Sequence, residues 1–441
     1  MNEVVRAAFH TLGCKVNQQE TAAVAATFVR AGFSIVPFQA DADAYVINSC
    51  VVTAQAERRS RNAVRRLRSR APHALIVLAG CFPQVAGEEA LDTGADLLVG
   101  SSDKARIVEL VSDKLAGRTT SAVSISRLGS ETEFERIAEG AEPGRTRAFL
   151  KVQDGCEQFC RYCIVPYARG PERSLPAEDV VKEARGLVER GYREIVLTGI
   201  RLGAYGRDLH CGSDIALLAQ EVLKQASVER LRFGSLEPND INDNLINLVR
   251  ESGRICRHLH IPLQSGCDST LERMGRPYRA QDFAALLGKL RREVPSIGIT
   301  TDIIAGFPGE SETDYLVSER FLREIAPSRT HVFRYSRRIG TPAADMKHQV
   351  PESVKAARAS RLTQAALECT LMYHRSCAGK QLRVLVETAE GGLLEGHSSE
   401  YVHVSAEGPA HLLRSVVTVL VEGTGEMGVH GRIVQEKCSA C

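Results

Sequence analysis

The segment Asp154-Gly-Cys156-Glu-Gln-Phe-Cys160-Arg-Tyr162-Cys163 sets three thiols at C-x3-C-x2-C spacing. Three thiolates this close can hold three irons of a cubane iron–sulfur cluster and leave the fourth iron without a protein ligand. An open metal position is where a substrate can bind. Structural zinc is the alternative, but such sites close with four ligands. No His or Cys nearby closes this one, and the next cysteine is Cys211. The polar, charged surroundings argue against three buried, unreactive cysteines.

A second cysteine pattern is spread over the first part of the chain. Three apolar runs end in cysteine: Ala7-Ala-Phe-His-Thr-Leu-Gly13-Cys14, Ala44-Tyr-Val-Ile-Asn48-Ser-Cys50 and Ala74-Leu-Ile-Val-Leu-Ala-Gly80-Cys81. Each leads into a helix-like stretch, and the intervals of 36 and 31 residues match a βαβ unit. Apolar runs alternating with helical patterns predict a parallel sheet. Ligands of such sheets bind beyond the carboxyl ends of the strands, so Cys14, Cys50 and Cys81 should converge there. A free cysteine is usually a small buried hydrophobe, but three at equivalent positions favour a second, auxiliary iron–sulfur cluster.

Composition is compatible with a multidomain enzyme. The 441 residues suggest two to four domains, and the net charge of +2 does not by itself announce a nucleic-acid partner. The N-terminus lacks an apolar signal stretch, and no run is long enough to span a membrane. Thirteen cysteines in such a chain point to a reducing, cytoplasmic setting, where Cys clusters are more often metal sites than disulfides.

A coarse pass divides the chain into four parts. Residues 1–118 form the α/β sheet domain. Residues 119–144 mix Ser, Thr, Gly and Glu with little periodicity and read as a linker. Residues 145–375 alternate strand and helix patterns, with strands expected at 148–152, 194–198, 230–234, 258–263, 298–304 and 331–335. Six such strands suggest a partial parallel barrel, whose active site would lie at the strands' carboxyl ends; Cys156 to Cys163 follow the first of them. Residues 376–441 change character. Val-rich strands at 381–387, 401–404 and 415–421, punctuated by glycines, predict a small antiparallel barrel.

The two triads together resemble the radical S-adenosylmethionine (SAM) methylthiotransferase family, and the resemblance runs over essentially the whole chain. The segments Thr11-Leu-Gly-Cys14-Lys15-Val16-Asn17-Gln, Ile47-Asn-Ser-Cys50-Val-Val-Thr53 and Pro166-Tyr-Ala-Arg-Gly170 look most like the branch acting on N6-threonylcarbamoyladenosine in tRNA. The isopentenyladenosine branch tends to have Gln-Met-Asn after the first cysteine, and the branch modifying a ribosomal-protein aspartate has Pro-Lys-Asn. The resemblance implies an α/β fold: an N-terminal parallel-sheet methylthiotransferase domain, a partial (β/α)6 radical SAM barrel, and a C-terminal OB-like TRAM barrel that binds RNA. It also implies two [4Fe-4S] clusters. The one on Cys156, Cys160 and Cys163 would bind SAM and make a deoxyadenosyl radical. The one on Cys14, Cys50 and Cys81 would carry the donated sulfur. Radical cofactors suit an unreactive C–H bond, which the protein alone cannot activate. An electron donor such as a flavodoxin or ferredoxin and a sulfur source are implied as partners, with a tRNA anticodon stem-loop as substrate.

Loops in equivalent phase after the strands are expected to hold SAM. Thr198 and Gly199 resemble the backbone site for its amino group. Ser235 and Glu237, with Gln264 and Ser265, correspond to positions facing its methionine part and ribose. Gly306 and Gly309 would let the backbone approach the adenine, beside Tyr162. Cys267, just after Gln264-Ser265-Gly266, is a candidate cavity residue; packing is expected of it and of Cys211, Cys256, Cys369 and Cys377. For RNA, seven arginines crowd residues 58–70. Arg and Lys supply the sequence-independent part of nucleic-acid affinity, which selects Arg58, Arg59, Arg61, Arg65 and Arg66. Arg334, Arg337 and Arg338 form a second basic spot, to which Arg276 and Arg279 could add. The last segment departs from the pattern of an RNA-binding module: from Gly379 on it has five Lys or Arg against eight Glu, about −3. The terminal Cys438 and Cys441 are assigned no role.

Overall fold

The computed structural model describes residues 4–129, 133–137 and 145–434. Cys438, Cys441 and part of the expected linker lie outside these residues. The N-terminal unit is a six-stranded parallel sheet of β1 (Arg6–Thr11), β2 (Ser34–Val36), β3 (Ala44–Ser49), β4 (Leu75–Gly80), β5 (Leu97–Val99) and β6 (Val123–Ser124), in the order β2-β1-β3-β4-β5-β6. Every residue of β3 and β4 is buried, as expected of central parallel strands covered on both faces. Their side chains alternate between two cores. Val24 and Phe28 of α1 (Lys15–Arg30) belong to one core. Val64 and Leu67 of α2 (Ala54–Arg70) and Phe82 of α3 (Cys81–Ala86) belong to the other. Ile107 and Val111 of α4 (Ile107–Leu115) join α1. The segment read as a linker is not wholly one, because its residues 123–124 form the last strand of this sheet.

The central unit is an arc of six parallel strands. These are β7 (Arg147–Lys151), β10 (Glu194–Thr198), β11 (Arg230–Phe233), β12 (His258–His260), β13 (Gly298–Ala305) and β14 (Arg329–Arg334). Parallel bridges from Leu231 to Ile255 and Ser235 to His260 join its two halves. Between β7 and β10 a small antiparallel pair, β8 (Gln153–Asp154) and β9 (Arg173–Ser174), brackets the cysteine loop and the short helix α5 (Val165–Arg169). The two-residue period of a strand sorts the side chains. Ala148, Leu150, Ile195, Leu197, Leu231, Phe233, Leu259, Ile299 and Ile303 enter the apolar core under the helices. The alternate positions, among them His258, His260, Thr300 and Asp302, line a polar lumen.

Among the described residues β7 and β14 do not pair, so the arc is open on one side. The N-terminal unit covers that side. Lys151 of β7 reaches Glu20 of α1 (2.8 Å), and beyond β14 the Ser336 hydroxyl accepts from the Ala54 amide (2.9 Å) while Arg338 pairs with Glu57 (2.5 Å).

The C-terminal unit is a closed barrel of β15 (Gln381–Glu390), β16 (Leu393–Ser398), β17 (His403–Glu407), β18 (Val416–Thr424) and β19 (Val429–Ile433), TRAM-like as expected but not wholly antiparallel, because β17 and β19 pair in parallel. It docks on the amino ends of the central strands, opposite the cysteine loop. Arg232 donates to the Ser399 and Ser398 carbonyls (3.1 and 3.0 Å), and Arg230 to the His397 carbonyl (3.2 Å). The Tyr401 ring stacks on His258 with centroids 4.6 Å apart, under the Arg232 guanidinium at 5.0 Å. Glu387, one of the acidic residues of this barrel, is used in the junction, where it pairs with Arg147.

Glu194 anchors this floor. It is 1 % exposed and pairs with Arg232 (2.8 Å) and Arg230 (2.9 Å). Burial alone would raise its carboxyl pKa, but Arg232, Arg230 and Arg147 outweigh burial and hold it well below the usual range. A depressed folded-state pKa contributes stability above the unfolded value of about 4.3 and loses it as pH falls through the folded value. Glu194→Gln should therefore cost about 3–5 kcal/mol near neutral pH. In thermal melts against pH, the gap between wild type and variant should stay constant above about pH 4.3 and close below it.

Candidate active site

Cys14, Cys50 and Cys81 follow the carboxyl ends of β1, β3 and β4, which pair side by side in register. Cys14 is the N-cap of α1 and Cys81 opens α3. Gly13 shows how close the loops run: a Cβ there would meet Cys50 Cβ at 2.6 Å and its Sγ at 2.9 Å. Asn17 ties the loops together. Its amide donates to the carbonyls of Leu12 (2.8 Å), two residues before Cys14, and Ser49 (3.0 Å), next to Cys50. Burial pushes the Cys50 thiol up to about 11, and the charges of Cys81 and Cys14 add to that. The Cys50 sulfur therefore senses the other two, and metal binding there must displace its proton.

Cys156, Cys160 and Cys163 sit in the loop entered from β8. Gly155 takes φ +76°, and a Cβ there would collide with the Pro171 carbonyl oxygen at 1.7 Å, so only glycine passes. The Cys156 amide donates to the Gly170 carbonyl (3.0 Å) and the Cys163 amide to that of Cys160 (2.8 Å). Burial raises Cys156 to about 11 and Cys163 to about 12, with the neighbouring thiols contributing. Among the described residues no three His, Cys, Asp or Glu side chains converge tightly enough for one metal ion. A cubane asks for something wider, since each thiolate takes its own iron. Two all-thiolate sets with no fourth protein donor fit that soft, open-cornered chemistry.

Each triad receives one buried guanidinium. Arg169, 1 % exposed at the end of α5, donates its Nε to Cys81 Sγ (3.2 Å). Its other nitrogens bond Glu20 (2.5 and 3.1 Å), Asn17 Oδ1 (2.7 Å) and Asp154 (3.3 Å). Lys151 bridges Glu20 and Asp154 (2.8 and 2.7 Å), and Lys104 lies 3.5 Å from Glu20. Burial would raise the Glu20 carboxyl, but Arg169, Lys104 and Lys151 keep it below the ordinary range. In the same way Arg276 donates to Cys160 Sγ (3.1 Å) and Tyr278 (3.0 Å) and pairs with Glu237. Sequence reasoning missed both roles. Arg169 stood within a quoted motif without a function, and Arg276, read as a possible RNA contact, is instead buried against a cysteine.

The other expected residues are only partly gathered. Tyr162 lies edge-on to Phe307, 6.4 Å between centroids. Thr198 ends β10, and Gly199 is pressed against Gln153, whose Oε1 stands 2.8 Å from where a Cβ would be. Ser235 is exposed at the β11–β12 bridge. Gln264 adopts φ +65° beside β13. Ser265 turns outward, its hydroxyl held by Ser318 (3.0 Å) and the Cys267 amide (3.2 Å). Cys267 also faces out, toward Asp314 (3.3 Å) and Ser269 (3.2 Å), rather than lining the lumen. Cys211 is exposed, so it does not pack as expected; Cys256, Cys369 and Cys377 do. The Gly306 amide is taken by Glu310 (3.1 Å), and Gly309 lies against Arg273.

The arginines separate into two groups. Arg58, Arg59, Arg65 and Arg66 are exposed. Their i, i+7 spacing keeps them on one face of α2, away from buried Ser60, Val64 and Leu67. Arg61 pairs with Glu57 (2.9 Å). Arg334 and Arg337 are exposed near Glu352 and Asp345. Arg338 is buried in its pair with Glu57, and therefore belongs to the junction between units rather than to a surface.

Known proteins bear on this arrangement. Residues 6–100 match a family described as uncharacterized protein family UPF0004, and residues 150–322 match the radical SAM superfamily. The chain is 37% identical over 434 residues to the threonylcarbamoyladenosine tRNA methylthiotransferase MtaB of Bacillus subtilis, covering 97% of this chain and 96% of that one. It is 38% identical to the protein of that name from Thermotoga maritima, with 89% of each covered. It is 32% identical to the tRNA-2-methylthio-N(6)-dimethylallyladenosine synthase of Acetivibrio thermocellus, over 97% and 90%. The fold also resembles that of the radical SAM methyltransferase TsrM from Kitasatospora setae, with a TM-score of 0.58 at 14% identity over 89% of this chain and 78% of that one. With a cysteine at the end of each of three adjacent strands and a C-x3-C-x2-C loop facing them across Arg169, the chain belongs to the radical SAM tRNA methylthiotransferase family.

Proposed function

We propose that the protein methylthiolates C2 of N6-threonylcarbamoyladenosine next to the anticodon of tRNA, using two [4Fe-4S] clusters and SAM. The relatives of 37 and 38% identity support the substrate, and the observation that carries the two-cluster reading is the position of Arg169. It contacts Cys81 of one triad and pairs with Asp154, two residues before Cys156 of the other. Cys156, Cys160 and Cys163 would hold the SAM cluster, and Cys14, Cys50 and Cys81 the auxiliary one. The bound groups would supply the radical and the sulfur. The chain's own residues orient and enclose. Tyr162, Thr198, Gly199, Glu237, Gln264, Gly306 and Gly309 border the space for SAM at the carboxyl ends of the strands. Ser235 lies at its rim, and Ser265 supports the loop from behind. Arg169 and Arg276 donate to sulfur, and such hydrogen bonds raise cluster reduction potentials. Arg58, Arg59, Arg65 and Arg66, with Arg334 and Arg337, offer phosphate contacts at the rim. An unpaired loop base can be unstacked into a recessed centre at low cost. Among the described residues no helix is long and apolar enough to cross a membrane. A flavodoxin- or ferredoxin-like donor and a sulfur source complete the scheme.

Three outcomes test it. Mass spectrometry of digested tRNA from cells with and without the gene should show loss of 2-methylthio-threonylcarbamoyladenosine and a rise of its precursor. Loss of the isopentenyl derivative instead would move the enzyme to the sister branch, and an unchanged profile would point to a protein substrate. Cys156→Ala should abolish 5′-deoxyadenosine formation from SAM, while Cys50→Ala should retain it and lose methylthiolation. A Cys50→Ala enzyme that still methylthiolates RNA refutes the two-cluster reading. Changing Arg58, Arg59, Arg65 and Arg66 to Gln should flatten the salt dependence of tRNA binding by about one unit of slope per lost phosphate contact, as read by fluorescence anisotropy.

A further inference from the structure

Lys15 is bonded to Cys14 and opens α1, yet its ammonium does not lie over the helix surface. It stands 5.9 Å from the centre of the Phe149 ring and 6.0 Å from that of Tyr401. Phe149 faces inward from β7, and Tyr401 closes the floor of the arc. Lys15 therefore reaches through the open side of the barrel into its lumen. The far wall carries His260, Asp302 and His331. Asp302 is already engaged by His260 (3.2 Å), and the two imidazoles of His260 and His331 lie 6.0 Å apart. Desolvation holds the His331 imidazole below its usual pKa against the opposing pull of Asp302, and the charges of Arg329, His260 and Lys15 add to the lowering. Among the described residues no carboxylate pairs with Lys15, and the residue remains exposed. This is a long cation with aromatic walls, in a lumen whose Asp302 is already engaged by His260. It can take an anion delivered from outside the chain, and charge-assisted hydrogen bonds to an ammonium are among the stronger polar contacts.

The reacting carbon has to lie within reach of both cysteine triads. Lys15 springs from one triad and ends against β7, the strand that leads to the other. In an adenine whose C2 is held there, the N6 substituent leaves the ring from another edge and is free to run down the lumen. A threonylcarbamoyl group carries a carboxylate at its end; an isopentenyl group carries no charge. We propose that Lys15 binds the carboxylate of the N6-threonylcarbamoyl group inside the barrel and so determines the preference for the acidic nucleoside. This rests on the substrate reading above.

The test uses the reconstituted enzyme and three synthetic anticodon stem-loops. One bears threonylcarbamoyladenosine, one its neutral methyl ester, and one isopentenyladenosine. Wild type should bind and turn over the acid at least tenfold better than the ester, with the difference in KM. Lys15→Gln should treat acid and ester alike, at the level wild type shows for the ester, and Lys15→Arg should restore most of the preference. Such a cycle isolates the charge pair from any general loss of fitness. A Lys15→Gln enzyme that keeps the full preference for acid over ester overturns the role of Lys15 and leaves the substrate reading intact. A wild type that modifies only the isopentenyl loop overturns the substrate reading itself.

Discussion

The buried pairing of Glu20 with Arg169 holds the two halves of this enzyme in one working unit. Glu20 belongs to the first helix of the sheet domain and Arg169 to the short helix behind the cysteine loop. Neither charge touches water, so the pair tolerates no sliding: an unmatched buried charge costs several kcal/mol. Lys151, Lys104 and Asp154 extend the pair into a network with definite geometry. Cations outnumber carboxylates within it, which suits a neighbourhood where thiolate clusters would add negative charge. Through Asn17 and Cys81 the same guanidinium reaches the loops that carry the sheet's cysteines. Spacing between the triads is therefore set by directional bonds rather than by apolar contact alone.

Around this pivot each opening of the barrel has its own closure. The sheet domain covers the open side, with Glu57 and Arg338 as the second fastening. The C-terminal barrel seals the floor through Glu194, Arg232 and Tyr401. That docking uses one of the acidic residues of the C-terminal unit, Glu387, in its pair with Arg147. The carboxyl ends of the strands are left for substrate, and the exposed arginines of α2 begin just after Cys50 on that rim.

Much of this was legible in the residues. Strand–cysteine repeats gave away the sheet and the convergence of Cys14, Cys50 and Cys81 at one end of it, because apolar runs at a repeating interval survive any later packing. Short edge strands such as Ser34–Val36 and Val123–Ser124 carry too few residues to show a period. Two strands of the last barrel were hidden by glycine. Gly396 and Gly431 sit where a Cβ would strike the carbonyls of Leu385 and Leu420, at 1.8 and 1.9 Å. They therefore mark close backbone approach in a small, bulged barrel and not loops. Arginine was the least readable residue. Arg58 faces solvent while Arg338, Arg276 and Arg169 are buried, and their partners lie far away in sequence. Local pattern cannot tell a phosphate contact from an ion pair that only the fold creates.

The pivot also bears on how the protein is made. A chain emerging from the ribosome folds its first domain ahead of the rest. All three cysteines of the sheet are present by residue 81, together with the sheet strands that position them. Arg169 and the loop that covers them come later. During that interval the first triad is built but not yet covered by the barrel, and on the two-cluster reading proposed above iron and sulfide could reach it from solvent. Once Arg169 meets Glu20, Cys50 and Cys81 lie buried beneath the junction while Cys14 stays exposed. On that reading, synthesis order would offer a window for maturation, opened by the sheet and narrowed by the barrel.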